Sequence, residues 1–108
     1  MDTKLLTGTV EMMILEVISE AESYGYQITQ RVLNRSDGNL ELKEGTLYPA
    51  LHRLERQKLL AARWSEHDGR RRKYYRLTAR GKKMLTVKRS EWKNFSATVN
   101  SVLGIDNA

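Results

Sequence analysis

The most distinctive chemistry in this sequence is cationic, because a run of four basic residues followed by two tyrosines occupies residues 70–75. Four adjacent cations repel one another unless an anion lies beside them, and nucleic-acid phosphates are the commonest anionic partner of such a surface. Membrane headgroups are the competing anion. A basic surface that is solvated and has no partner is the third interpretation.

The positive charge is concentrated in one part of the chain. The 108 residues include 19 Lys and Arg and 13 Asp and Glu, which makes the formal net charge +6. Residues 43–93 hold 16 of the basic residues and five of the acidic ones, whereas residues 1–42 hold three basic and seven acidic residues. We therefore expect the anion-binding surface in the second half of the chain.

Catalysis and metal binding have no recognisable site. The sequence has no cysteine, and neither His52 nor His67 has a carboxylate or a second imidazole at metal-ligand spacing. No nucleophile lies in a known motif and no glycine-rich loop follows a strand, so we expect no enzyme activity and no cofactor.

The sequence also predicts a cytoplasmic protein. The longest uninterrupted apolar run, Met12 to Leu15, is far shorter than the roughly 20 residues that cross a bilayer. The N-terminus shows no recognisable signal peptide, because it lacks a basic region followed by a long apolar stretch.

Hydrophobic periodicity predicts two helices in the first third of the chain. Apolar residues recur at steps of three and four from Leu5 to about Ser23, which indicates an amphipathic helix. Thr7 or Thr9 can cap this helix, because a hydroxyl accepts a hydrogen bond from a first-turn amide. Gly25 interrupts the pattern between two tyrosines, and a shorter helix with a narrow apolar stripe follows it.

A third helix is predicted from about Thr46 to Lys58. Residues 40–42 alternate like a short strand before it, and Gly45 is assigned to the turn between strand and helix. Pro49 is expected in the first turn of the helix, where its missing amide hydrogen costs nothing. The leucines of this helix share one face, and the opposite face carries His52, Arg53 and Arg56.

Two alternating runs predict a β-hairpin that carries the four cations. The runs, residues 60–66 and 71–77, are separated by a segment with Asp68-Gly69, a strong hairpin turn signal. The cations fall at its tip and on its returning strand. We expect Trp64 to pack the hairpin onto the rest of the domain, and one of Tyr74 and Tyr75 to pack inward.

A long final helix is predicted from the cap residue Thr78 to Gly104. Apolar positions advance along it by three and four, like a heptad seam that a single lysine interrupts. Such a seam is longer than a three-helix domain needs, so it predicts a partner surface. Its members are Leu85, Lys88, Trp92, Phe95, Val99 and Val102.

This order of elements is that of a winged helix-turn-helix with an additional C-terminal helix. It predicts a mainly α fold with a small β-hairpin wing, divided into a DNA-binding domain (residues 1–78), a dimerisation helix (residues 79–104) and a tail (residues 105–108). In such a fold the third helix lies in the major groove, and the wing reaches the neighbouring backbone or minor groove.

Four stretches of the sequence resemble the PadR-like transcriptional regulators, namely residues 5–11, 24–28, 44–55 and 69–78. The most specific part is the run Glu-Gly-Thr-Leu-Tyr-Pro at residues 44–49 followed by the basic hairpin. The resemblance extends from about residue 5 to residue 103. It implies a homodimeric repressor of the small subfamily, which binds inverted-repeat operators in double-stranded DNA and dimerises through a single C-terminal helix.

The resemblance also assigns individual residues. With dimerisation implied for the C-terminal helix, the seam residues Leu85, Trp92, Phe95, Val99 and Val102 are the candidates for the dimer interface, and the resemblance makes Trp92 a candidate for a planar aromatic effector in the dimer pore. It implies DNA contacts from Tyr26, Lys43, Thr46, Tyr48, Pro49, His52, Arg53, Arg70, Arg71, Arg72 and Lys73.

Other interpretations remain open at this stage. The fold can serve as a protein-binding module whose basic face meets an acidic partner. Trp92 and Phe95 can form dimer core instead of a ligand site, and Tyr48 can pack against the second helix instead of contacting DNA.

Overall fold

A computed structural model describes residues 8–106, and within that range the chain forms four helices and one β-hairpin. Leu5, Leu6 and Thr7, where the first predicted helix begins, lie outside the described residues, as do the last two residues of the tail. Among the described helices none is long and apolar enough to cross a membrane. The elements are α1 (Val10–Glu20), α2 (Gly25–Arg35), α3 (Glu44–Arg56), β1 (Leu60–His67), β2 (Arg70–Leu77) and α4 (Ala79–Leu103).

The hydrophobic core lies where the first three helices meet the root of the hairpin. Ile14 of α1, Ile28 of α2 and Leu51 of α3 are fully buried there. Tyr75 of β2 is 2% exposed and belongs to the same cluster, so it is the inward-packing member of the tyrosine pair. Burying an aliphatic or aromatic side chain of this size stabilises the fold by about 1.5–3 kcal/mol.

The hairpin is confirmed, with a register that decides which side chains share a face. The strands pair antiparallel from Leu60 opposite Leu77 to His67 opposite Arg70. Asp68 and Gly69 form the turn with φ values of 51° and 75°, the left-handed conformation that a tight two-residue hairpin turn requires.

The short strand predicted at residues 40–42 is wrong. Leu40 and Leu42 are buried and Glu41 is exposed, so the alternation reflects packing of an extended segment without a strand partner. The free edge of β2 is occupied instead by Ser23, from the connection between α1 and α2. Its backbone exchanges two hydrogen bonds with Tyr75, of 3.0 and 2.8 Å.

The third helix begins and ends two residues earlier than predicted. Gly45 therefore lies inside its first turn instead of in a preceding turn, and the prediction that Pro49 lies in the first turn is wrong, because Pro49 is the sixth residue of α3. A proline at this position cannot donate to the carbonyl of Gly45. Gly45 is exposed, so water can satisfy that carbonyl.

The caps of the first and last helices differ in type. Thr9 occupies the N-cap of α1, but its side chain makes no capping hydrogen bond, so the prediction of a hydroxyl cap is wrong for Thr9. Thr78 does cap α4, since its hydroxyl accepts from the amide of Gly81 at 2.9 Å and donates to the carbonyl of Lys58 at 2.7 Å. Gly104 ends α4 with a φ of 73°.

Gly81 lies in close contact with the backbone that precedes β1. A Cβ at this position would overlap the backbone carbonyl oxygen of Leu59. We expect Gly81→Ala to lower the free energy of unfolding by about 1–3 kcal/mol, because backbone atoms cannot move aside as a flexible side chain can. Urea unfolding followed by circular dichroism measures this change.

Gly45→Ala is the matched control, because a Cβ there meets nothing within 4 Å. Since alanine favours a helix over glycine by up to about 1 kcal/mol, this variant should be as stable as the parent or slightly more stable. Equal destabilisation by the two substitutions would contradict the assigned packing of Gly81.

Candidate nucleic-acid interface

The N-terminal half of α3 presents an exposed surface of mixed polarity. Thr46 and Pro49 are exposed on this half, His52 is exposed just beyond it, and Lys43 is exposed immediately before the helix. The leucines of the same helix are buried in the core, so packing turns the opposite side of the helix outward. This sidedness follows directly from the 3.6-residue period of the helix.

Tyr26, Lys43 and Tyr48 lie around one cavity. The cavity has a volume of about 220 Å³ and lies between the first turns of α2 and α3. Tyr26, at the start of α2, is 64% exposed, and Tyr48 is 39% exposed. The fold therefore places two aromatic rings and a cation, from separate parts of the sequence, on a common surface.

Gly25 allows Tyr48 to reach the first turn of α2. A Cβ at residue 25 would lie 2.5 Å from the hydroxyl oxygen of Tyr48, closer than non-bonded atoms approach. Tyr48 therefore packs against the second helix and remains partly accessible at once. The first turn of α2 has no acidic residue of its own, and its helix N-terminus, with its partial positive charge, borders the cavity that Glu41 and Glu44 also line.

The four cations of the hairpin are divided between its two faces. Arg71 and Lys73 lie on the face that carries Tyr75 into the core, which we call the core-side face, and Arg72 lies on the opposite face. The guanidinium of Arg71 stacks over the ring of Trp64 at 4.6 Å, and that of Arg72 stacks over Tyr24 at 4.5 Å. Arg70, beside the turn, is exposed.

Lys73 forms an ion pair with the third helix. Its Nζ donates to Oε1 of Glu55 at 2.9 Å, and its side chain is 25% exposed. The hydrogen bond to Glu55 raises the pKa of Lys73, so this lysine stays charged. Burial raises the pKa of the Tyr75 phenol beside it, which keeps that phenol neutral. The pair ties the wing to α3.

Two further ion pairs hold basic side chains of this surface. Arg53 of α3 donates to Glu11 of α1 at 2.8 Å. Arg63 of β1 binds Glu22, and this hydrogen bond lowers the pKa of the Glu22 carboxyl. Arg53 and Lys73 are therefore the two predicted contact residues whose charge is already matched by a carboxylate of another element.

The weakest of these contacts involves Lys43. Its Nζ lies 3.4 Å from the carboxylate of Glu41, and both side chains are largely exposed. Pairs of this kind contribute little in water, so Lys43 remains available to another anion. Within residues 8–106 no group of three His, Asp or Glu side chains is placed to hold a metal ion.

The expectation that Trp64 packs the hairpin onto the domain is wrong. Trp64 is 56% exposed, although it shares the core-side face with buried Leu60 and Tyr75. The hairpin extends beyond the helices, so only its root reaches the core. The alternating pattern identified the face of Trp64 correctly, but it carries no information about where along the strand the core ends.

The seam of α4 is largely uncovered. Leu85 is buried at its beginning, but Trp92 is 47% exposed, and Phe95, Val99 and Val102 are exposed as well. Trp92 and Phe95 lie with ring centroids 6.4 Å apart. Trp92, Phe95, Val99 and Val102, the seam residues after Lys88, therefore form an exposed apolar stripe on the second half of α4.

Trp92 also borders a groove of about 600 Å³ between α1, the end of α2 and α4. The apolar part of its lining includes Met12, Met13, Val17, Val32 and Leu40. Arg35, Arg89 and Lys93 lie around it, of which Arg35 is bound to Glu20 and Arg89 to Glu16.

Comparison with known proteins identifies relatives along most of the chain. Residues 14–87 match the transcriptional regulator PadR-like family. An uncharacterised protein from Lysinibacillus sphaericus is 38% identical over 89 residues, which are 82% of each chain. A transcriptional regulator from Mycobacterium tuberculosis is 39% identical over 82 residues, or 76% of this chain and 74% of that protein.

Solved structures with the same fold include two bacterial regulators. A transcriptional regulator from Clostridium thermocellum superposes with a TM-score of 0.86 at 34% identity, covering 91% of this chain and 96% of that one. A PadR family regulator from Clostridium difficile superposes with a TM-score of 0.77 at 37% identity, covering 89% and 99%. This chain therefore belongs to the PadR-like family of transcriptional regulators, which are not enzymes, and has a winged-helix fold with a long C-terminal helix.

Proposed function

We propose that this protein is a homodimeric, sequence-specific DNA-binding transcription regulator, a repressor that binds an inverted-repeat operator. One observation carries this proposal. The side of α3 opposite its buried leucines is exposed, and it lies beside Tyr26, Lys43 and the cationic hairpin. A helix of this kind fits the major groove, and a basic hairpin next to it reaches the adjacent backbone. Membership in a family of transcriptional regulators supports the proposal.

The proposed contacts divide by chemistry. Thr46, Pro49 and His52 face the base edges, because hydroxyl, apolar and imidazole groups can discriminate bases in the major groove. Lys43 contacts phosphates beside the first turn of α2, where Tyr26 and Tyr48 add their hydroxyls. Such contacts position the protein on the duplex without specifying its sequence.

The basic side chains contribute unequally. Arg70, Arg71 and Arg72 supply phosphate contacts, because none of the three is neutralised by a carboxylate within the described residues. Arg53 and Lys73 belong to the same interface, but each is already bound to a carboxylate. We therefore expect the wing arginines to account for most of the salt dependence of binding.

Replacing Arg71 and Arg72 together with alanine tests the wing. Each lost phosphate contact lowers the slope of log affinity against log salt by about 0.9, so the slope should fall by about two while all duplexes are bound more weakly alike. Fluorescence anisotropy of labelled duplexes over a series of salt concentrations measures both effects.

Replacing Lys82 and Lys83 together with alanine is the control for net charge, since both are exposed lysines of α4 outside the proposed interface. An unchanged slope in the arginine variant would remove the wing from the interface. Binding to heparin as tight as to any duplex, with no preferred sequence, would instead favour a module for an acidic partner.

The exposed seam of α4 supports the homodimer. A second copy related by a two-fold axis would cover Trp92, Phe95, Val99 and Val102. Burying these apolar side chains would stabilise the dimer. Two recognition helices related in this way can lie about one turn of DNA apart, which matches an inverted repeat. Residues 79–104 would then serve dimerisation and residues 1–78 DNA binding.

Trp92→Asp should convert the dimer to monomers, because it places a carboxylate in the apolar seam. Sedimentation velocity measures the change. Val87→Asp is the matched control, since Val87 is 48% exposed on the same helix but lies off the seam, and this variant should remain dimeric. A dimer that persists in the Trp92 variant would count against this interface.

The groove beside Trp92 supports a second role, the binding of a planar aromatic effector. Its apolar lining, its volume of about 600 Å³ and an indole at its edge are suited to a flat apolar ligand. Binding at this position would lie next to the proposed dimer seam, so the ligand could alter the spacing of the two DNA-binding domains.

Titration with 1-naphthoate tests the effector site. In a Trp64→Phe background Trp92 is the only tryptophan, and its fluorescence should be quenched saturably. Ser90 lines the groove, so Ser90→Leu should weaken quenching, whereas Thr86→Leu outside the lining should not. Quenching that does not saturate, or that ignores the Ser90 substitution, would exclude this site.

A further inference from the structure

Trp64 is an exposed aromatic residue to which neither the core nor the proposed contacts assign a role. Trp64 is 56% exposed on β1. The guanidinium carbon of Arg71 lies over its ring, 4.6 Å from the ring centroid. A cation held over an indole face in this way is attracted by the electrons of the ring. The two residues form a stacked pair on the free part of the wing.

The stacked pair of Trp64 and Arg71 lies on the side of the wing that faces α3. Trp64 is directly opposite Lys73 in the hairpin, and Arg71 is one step further toward the turn on the same face. Lys73 reaches Glu55 of α3 at 2.9 Å, which shows where this face points. Trp64 and Arg71 therefore continue the surface of α3 outward along the wing.

The stacking leaves the charged edge of Arg71 unoccupied. Glu66 lies directly opposite Arg71 in the hairpin, yet the two form no ion pair. The neighbouring cations of the hairpin differ in this respect, because Lys73 is bound to Glu55 and Arg63 to Glu22. A guanidinium that lies over an indole and has no carboxylate partner can bind the two oxygens of a phosphate through its N–H groups.

Preorientation also reduces the entropy that Arg71 loses on binding. A free arginine on a strand samples many rotamers, whereas one stacked on a ring is already restricted. The exposed face of the indole is wide and apolar, and a deoxyribose presents a surface of the same kind in the groove wall. The arrangement thus offers a sugar contact and a phosphate contact side by side.

We propose that Trp64 is a DNA-backbone contact of the wing, which packs against deoxyribose and orients Arg71 toward the adjacent phosphate. This inference rests on the proposed function, since it requires that the surface of α3 and the wing bind duplex DNA. The contact is independent of sequence, because sugar and phosphate are the same at every base pair.

The two tryptophans of the chain allow a direct test. In a Trp92→Phe background Trp64 is the only tryptophan, and its quenching by acrylamide can be measured with and without a duplex. Because the proposed contact covers the exposed part of Trp64, saturating duplex should lower the quenching constant at least about twofold. The affinity of this background for labelled duplex is measured first by anisotropy.

Substitution of Trp64 in the same background gives the second measurement. Trp64→Ala should weaken binding about fivefold for specific and unrelated duplexes alike and lower the salt slope, because Arg71 is no longer oriented. Trp64→Tyr should bind almost as tightly as the parent, because tyrosine keeps an aromatic ring on which Arg71 can lie, whereas alanine does not. Ser65→Ala, on the opposite face, should bind like the parent.

A double-mutant cycle separates the two partners. If Trp64 acts largely through Arg71, the combined loss in Trp64→Ala with Arg71→Ala should be clearly smaller than the sum of the single losses. Full additivity would overturn the orienting role. The melting temperature of Trp64→Ala should equal that of the parent, since the side chain contributes little to the core.

The outcomes distinguish this inference from the proposed function. Tight duplex binding with unchanged quenching of Trp64 and an unchanged affinity of Trp64→Ala would overturn the inference and leave the DNA-binding function intact. Failure of the parent protein to bind any duplex at low salt would overturn both.

Discussion

The burial of Tyr75 at the root of the hairpin is the contact on which the geometry of the rest depends. Its side chain lies in the core between the helices, and its backbone is paired with Ser23, which is itself fully buried. A displacement of this residue would move the whole hairpin relative to α3. Since β1 and β2 are paired along eight residue pairs, the position of the hairpin root determines the position of the hairpin tip.

Electrostatic contacts reinforce this attachment from two sides. Lys73 binds Glu55 of α3 on the core-side face, and Arg63 binds Glu22 on the other face. Tyr24 adds an edge contact with Tyr74, at 5.4 Å between centroids, and receives the guanidinium of Arg72. The basic residues near the root thus serve to hold the wing, whereas those further out keep their charge available. One run of cations in the sequence therefore has two physical roles.

The first half of α4 covers the core, and its second half extends beyond it. Gly81 and Leu85 are the buried residues of this helix, and the apolar residues after them are exposed. The longest dimension of the molecule, 54 Å against 29 and 21 Å, reflects this projection. Exposed apolar stripes of this kind are unusual on monomeric proteins, and this supports the proposed homodimer.

The types and order of most elements could be predicted from the sequence, because the signals for them are local. The Asp68-Gly69 turn, the Thr78 cap and the Gly104 terminus each depend on the conformation of a few adjacent residues, and all three are present. The family resemblance, which rests on contiguous runs, was equally accessible. The prediction of a strand at residues 40–42 was wrong, because an alternating pattern indicates which side chains are buried but not whether a neighbouring strand exists.

Which candidate residues are paired with a carboxylate and which are exposed could not be predicted from the sequence. Glu11 and Arg53 are 42 positions apart, and Glu55 and Lys73 are 18 apart, so no local pattern indicates that either pair will meet. The exposure of Trp64 likewise depends on where the helices end against the hairpin. Charge pairing and burial are properties of the packed surface, because they depend on distances between elements that the chain brings together only when it folds.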